Sequence, residues 1–213
     1  RFGSSVSLNN NGTIVAIGAP NNDDNGSNSG QVRVYENVNG TWTKIGQDIN
    51  GNAAGDNNGK SVSLNNDGSI IAIGAPFNSN INGNYSGQVR VYKNVNGTWS
   101  QIGEDINGKA GGDNNGISVS LNNDGSIVAI GAPTSNSSNG EYSGQVRIYK
   151  NENGSWSQIG LDIIGESAND YNGYSVSLNG DGTIVAMGAP FNDDNGANSG
   201  QVRGYENVNG TWS

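Results

Sequence analysis

The chain has 213 residues, a formal charge of -9, and neither cysteine nor histidine. That charge disfavours a phosphate backbone or an anionic bilayer as partner, since both are held by Lys and Arg, and the two missing residue types exclude disulfides, imidazole bases and imidazole metal ligands. Strict apolar residues reach 32%, and the 35 glycines bring the total near the roughly 45–50% of globular chains, so the core is thin and repeated.

In chain order, "FGSSVSLNNNGTIVAIGAP" (residues 2–20) opens a unit that returns from 59, 116 and 173, the second time as "GKSVSLNNDGSIIAIGAP". Pro20, Pro76, Pro133 and Pro190, with Trp42, Trp99, Trp156 and Trp212, set a period of 56 or 57 residues. Such a period announces a propeller, a solenoid or an array. In the second unit "SVSL" (61–64) alternates, placing Val62 and Leu64 on one face of a first strand. "IIAIGA" (70–75) is a continuous apolar run, which predicts a second strand buried on both faces. Pro76 stops it and starts a long polar loop. "GQVRVYKN" (87–94) sets Val89 and Val91 against Arg90 and Tyr92, and "TWSQIGEDI" (98–106) carries Trp99 and Ile102 with a bulge predicted at Gly103. Asn-Asp-Gly-Ser joins the first two strands and Val-Asn-Gly-Thr the last two; both predict type I′ hairpins, whose central residues need positive φ. No segment has a helical period, so helix content is expected to be close to none.

One such sheet cannot bury both faces, so sheets must stack, radially as a β-propeller or linearly as a β-solenoid. Solenoid repeats are usually shorter and lack two tight hairpins each, which favours the propeller. The expected fold class is therefore all-β: a β-propeller, or propeller segment, of four-stranded antiparallel blades. A single repeat domain spans 1–213, with blades at 1–56, 57–113, 114–170 and 171–213 and the last strand incomplete. Opening on Arg1 and stopping inside a strand at Trp212-Ser213, the chain reads as a processed form, an excerpt of a longer array, or a subunit whose open edge another chain fills.

Phe2-Gly3, Gly18-Ala19-Pro20 and "SGQVRVY" (29–35) resemble the FG-GAP repeat of the integrin α-chain propeller and of many bacterial and algal surface proteins. The resemblance covers all four units and implies a propeller in an extracellular or cell-surface setting. Two departures stand out. Asn58, Asn115 and Asn172 align with Phe2, and the calcium loop of integrin-type units is replaced by a short "NNDG" with one acid, Asp67 or Asp124.

Asp23, Asp24 and Asn25, and again Asp193, Asp194 and Asn195, lie between strands two and three and offer closely spaced oxygens to calcium, the one cofactor considered. The same loops of the middle units, "FNSNING" and "TSNSSNG", have no acid, which favours a solvated loop. Asp56, Asp113 and Asp170 read as turn caps. A carboxylate pair for glycoside hydrolysis would have to break the repeat, and the singular acids Glu141 and Glu166 are scattered through loops. "NVNGTW" is one residue short of the sialidase-type S-x-D-x-G-x-T-W motif. No catalytic residue and no enzyme is expected. The repeated Trp and Tyr35, Tyr92, Tyr149 and Tyr205 are expected to pack between sheets, whereas Tyr85, Tyr142, Tyr171 and Tyr174 lie in loops as candidate ligand contacts. Arg33, Arg90, Arg147 and Arg203 form a ring in which each is expected to pair with an acid or lie over a tyrosine. Asn39, Asn96, Asn153 and Asn209 head Asn-Gly-Thr/Ser motifs, N-glycan acceptors in a eukaryotic secretory pathway, although turn geometry alone produces the same triplet.

The expected function is an extracellular, non-enzymatic repeat module for structure, assembly or adhesion. It would bind protein partners or itself through an open blade edge, giving end-to-end assemblies or filaments. The alternative is a carbohydrate-binding or calcium-dependent adhesion module using the loops between strands two and three. Nucleic acid and membrane insertion are not expected.

Overall fold

The computed structural model describes residues 2–213. The first blade holds β1 (Ser5–Leu8), β2 (Ile14–Ala19), β3 (Gln31–Val38), β4 (Thr41–Lys44) and β5 (Ile49–Asn50). The second holds β6 (Ser61–Leu64), β7 (Ile70–Ala75), β8 (Gln88–Val95), β9 (Thr98–Gln101) and β10 (Ile106–Asn107). The third holds β11 (Ser118–Leu121), β12 (Ile127–Ala132), β13 (Gln145–Glu152), β14 (Ser155–Gln158) and β15 (Ile163–Ile164). The fourth holds β16 (Ser175–Leu178), β17 (Ile184–Ala189), β18 (Gln201–Val208) and β19 (Thr211–Trp212). The first four strands of each blade pair antiparallel in chain order, so each blade is a meander. No helix of the described residues is long and apolar enough to cross a membrane.

The fourth strand of a blade is split. β9 and β10 both pair with β8, Gln101 opposite Tyr92 and Ile106 opposite Val89, so residues 102–105 face only Arg90 and Val91. Gly103, at φ 73, sits in this insertion, a larger version of the predicted bulge. The hairpin between the last two strands is as the sequence predicts, with Asn96 at φ 52 and Gly97 at φ 82. The first hairpin is wider than predicted, for only Gly68 has positive φ and Asp67 does not. Side chains close this longer loop: Asn65 Oδ1 accepts the Ile70 N–H at 2.9 Å and Asp67 Oδ1 accepts the Ser69 N–H at 2.8 Å. Those bonds satisfy amides that a two-residue turn would have placed in the ladder.

The first strands neighbour one another, β1 against β6, β6 against β11 and β11 against β16, and the sheets fan outward from them. Each joint between blades buries its own small core. Ala16, Val32, Val34 and Ile49 of the first blade meet Val62, Leu64, Ile71, Ile73 and Trp99 of the second. The joint repeats with Val89, Val91 and Ile106 against Val119, Leu121 and Val128, and with Val146 and Ile148 against Val185 and Met187. Three of the four tryptophans tie these joints together, each indole N–H donating to a carbonyl of the preceding blade: Trp99 to Ile45 at 3.0 Å, Trp156 to Ile102 at 2.9 Å and Trp212 to Ile159 at 3.0 Å. Asn58, Asn115 and Asn172, which align with Phe2, are fully buried, and their amides donate to Ile49, Ile106 and Ile163 carbonyls.

Candidate functional site

Three regions can do chemistry or recognition: a rim, a polar cleft and two flanks. The rim is built from the loops between strands two and three together with the connections between blades. In it Asp23 Oδ1 accepts the Asn28 N–H at 2.7 Å, Asp24 Oδ2 accepts from Gln31 Nε2 at 2.6 Å, and Asn25 Nδ2 donates to the Gly51 carbonyl at 3.0 Å. The fourth blade repeats the pattern with Asp193 on Asn198 N–H and Asp194 on Gln201. These acids therefore brace their own loops, and among the described residues no group of three or more acidic side chains gathers as a metal centre. Asp56 and Asp113 cap backbone N–H groups of Asn52 and Ala53, and of Lys109 and Ala110; Asp170 caps Ser167. The loop tyrosines stand on the same rim. Tyr85 and Tyr142 are exposed, Tyr142 stacks on Tyr171 at 5.8 Å between ring centroids, and Tyr174 is exposed apart from them. Asn39, Asn96, Asn153 and Asn209 occupy the hairpins between the last two strands of each blade, with φ between 52 and 55.

The polar cleft lies between the second and third blades, a cavity of about 390 Å³ lined by Lys109, Asp113, Asn136, Gln145, Arg147 and Asp162 among others. Arg147 is 1% exposed, and its guanidinium meets Asp162 at 3.2 Å and Asp113 at 3.5 Å, with its Nη1 buried and unpartnered. Lys109 Nζ reaches Asp162 at 2.8 Å. Burial pushes the Asp162 carboxyl up, but hydrogen bonds from Lys109 and Gln158 and the charge of Arg147 outweigh it and hold the group below the usual carboxylate range. At neutral pH it is an acceptor rather than a proton donor. The rest of the arginine ring differs. Arg33 pairs with Asp48, and Arg203 pairs with Glu166 and lies over Tyr205, whereas Arg90 bonds Asn52 and Asn58 and lies over Tyr92. Sequence reasoning missed the cluster because its members are distant in the chain. The available signal was the loss of repeat symmetry where Lys109 stands in place of Asn52 and Glu166.

The flanks are the outer faces of the end blades. Inside the array Val62, Leu64 and Trp99 are 9%, 7% and 3% exposed, whereas their counterparts Val6, Leu8 and Trp42 are 66%, 58% and 45% exposed. At the other end Val202 is 76% exposed where Val32, Val89 and Val146 are sealed at 0%.

The FG-GAP repeat pattern matches residues 1–35 and 165–202. No curated protein matches the chain in sequence. Solved structures share the fold. A protein described as a 6-phosphogluconolactonase from Bacteroides uniformis is 11% identical with a TM-score of 0.61, over 98% of this chain and 52% of that one. The periplasmic gluconolactonase of Pseudomonas aeruginosa is 13% identical at 0.61, over 99% and 55%, and the hydrazine synthase of Kuenenia stuttgartiensis is 11% identical at 0.59, over 98% and 47%. The chain thus spans about half the length of the structures it matches. These likenesses correct the expectation that the chain is not an enzyme. Proteins named as lactonases are built on this fold, and repeat symmetry, on which that expectation rested, is broken at the cleft around Arg147.

Proposed function

We propose that this chain, which carries FG-GAP repeats in a β-propeller fold, is an extracellular or cell-surface repeat module that assembles flank to flank with further copies of itself. The observation that carries this reading is the likeness between its exposed flanks and its sealed joints. At each joint the first-strand serine donates to a glycine carbonyl of the next blade, Ser61 to Gly116 and Ser118 to Gly173, both at 2.8 Å. A second serine accepts the leucine amide, Ser63 from Leu121 at 2.9 Å and Ser120 from Leu178 at 3.0 Å. Ser175 and Ser177 hold those positions on the fourth blade, and Gly3, Val6 and Leu8 hold the complementary ones on the first. A second copy placed one blade-step further on meets the same serine hydroxyls and strand valines, without the counterparts of Ile45 and Ile49 that complete the internal joints. Gly204 replaces Val34, Val91 and Ile148, so this joint is shallower than the internal ones. Contact between two different patches is heterologous, giving rings where the rotation closes and filaments where it does not.

Sedimentation velocity and negative-stain electron microscopy over rising concentration test this. Larger species are expected for the native chain. Val6→Asp with Leu8→Asp, and separately Gly188→Ala, are expected to abolish them without lowering the melting temperature, because those sites are open in the monomer. A native chain that stays monomeric, its flanks covered only when further blades extend the same chain, or variants that assemble as well as it does, would overturn the reading.

A further inference from the structure

On the rim, away from the flanks, three positions recur at every blade: the residue after the proline, a left-handed residue in the following loop, and a left-handed residue before the next blade. In the first blade they are Asn21, Asn28 and Asn57, with Asn21 Nδ2 donating to Asn28 Oδ1 at 2.8 Å and Asn57 Nδ2 to the Pro20 carbonyl at 3.1 Å. Asparagine tolerates positive φ, so these are undemanding turn residues. In the middle of the array the same positions carry Phe77, Tyr85 and Asn114, then Thr134, Tyr142 and Tyr171, with Phe191 next. Tyr85, Tyr142 and Tyr171 keep the left-handed backbone at φ 54, 52 and 55, a conformation disfavoured for a bulky ring. Burial does not explain the substitution, since Tyr85 is 58% and Tyr142 43% exposed.

The rings are organised. Phe77 meets Tyr85 edge-on at 6.1 Å, Tyr142 and Tyr171 lie within 12° of parallel, and Phe191 meets Tyr171 at 5.2 Å. Between Tyr85 and Tyr142 opens a cleft of about 600 Å³ whose polar lining is Asn28, Asn57, Asn114 and Thr134. Among the described residues no charged side chain lines it. Asn114, part of that lining, has its Oδ1 buried without a protein partner.

We propose that this cleft binds a neutral oligosaccharide, pyranose faces lying on Tyr85 and Tyr142 and hydroxyl groups bonding the asparagine amides. Flat apolar rings beside neutral asparagine and threonine side chains match a sugar, which has C–H faces and a rim of hydroxyls. An anionic ligand finds no cation in the lining, and a cation finds no carboxylate. A proline-rich peptide also favours aromatic grooves, and the decaproline comparison below separates the two.

The test is calorimetric titration with neutral tetrasaccharides of β-glucose, N-acetylglucosamine, β-mannose and α-mannose, with decaproline as comparison. Tyr85→Asn and Tyr142→Asn install the residue that the first blade itself uses at this position, as Asn28, so folding is retained and is checked by melting. Saturable binding of at least one tetrasaccharide, weakened about tenfold or more by either variant and unchanged by Tyr174→Asn, is expected. Absence of saturable sugar binding, binding indifferent to Tyr85→Asn and Tyr142→Asn, or binding of decaproline alone would overturn the assignment. None of these outcomes depends on the oligomeric state.

Discussion

Gly131→Ala is expected to lower stability by about 3 kcal/mol or more, at the upper end of what overpacking costs, while the same change at Gly188 stays within about 0.5 kcal/mol. The two glycines occupy the same place in "GAP", one in β12 and one in β17. A β-carbon at Gly131 would lie 1.9 Å from the Gly173 carbonyl oxygen, and at Gly18 and Gly74 it would lie 2.1 Å from the carbonyls of Gly59 and Gly116. Those oxygens are backbone, held by the serine hydroxyls of Ser118, Ser5 and Ser61, so neither side can yield without parting the blades. At Gly188 the nearest atom is the Ser175 hydroxyl at 2.6 Å, which can rotate away, and no carbonyl of another blade is near. Urea unfolding of the four alanine variants should rank Gly188 far above the other three in midpoint. Equal losses at all four would mean that the glycine is required by the strand itself and not by the neighbouring blade.

Arg147→Ala is expected to cost about 3–5 kcal/mol, because it strands two carboxylates that the guanidinium now neutralises. Arg33→Ala, at the equivalent site, should cost under about 1 kcal/mol. The difference follows from burial: the Arg147 side chain is 1% exposed and the Arg33 side chain 36%, although both pair with an aspartate near 3.1 Å. Lysine at 147 should rescue little, since a single ammonium cannot reach both Asp113 and Asp162 with the geometry of a planar fork. The acid limb of stability gives a second readout. The folded pKa of Asp162 is depressed, so its contribution is fully present above the ordinary aspartate value of about 3.9 and is lost as pH falls through the lower folded value. Without Arg147 that depression shrinks, and the difference between native and variant stability should narrow toward pH 3, measured by thermal melts across pH. A gap that does not narrow would locate the loss in packing rather than charge.

Legibility from sequence was high wherever a feature repeated. The alternation of "SVSL", the continuous run of "IIAIGA" and the Asn-Gly turns each state a local rule, and four copies make accidental agreement improbable. The wider first hairpin escaped because Asp67-Gly68 also satisfies a longer loop, and the choice depended on bonds from Asn65 and Asp67 side chains. The caps formed by Asp56, Asp113 and Asp170 were legible because their partners lie three or four residues away. The cleft around Arg147 was not, since Lys109, Asp113 and Asp162 reach it from separate loops.

By itself, then, the sequence determined the strands, their pairing within a blade and the fact that one blade needs another, because these follow from period-two burial and from turns only a few residues long. Tertiary structure alone decided which equivalent residues became different. Val6 and Val62 are the same letter in the same motif, yet one is exposed and the other sealed. Arg33 and Arg147 likewise diverge, and Tyr142 finds Tyr171 only when a neighbouring blade brings it. The physical reason is that burial and charge pairing depend on what lies across the joint, a distance of one whole repeat, and no local pattern carries that information.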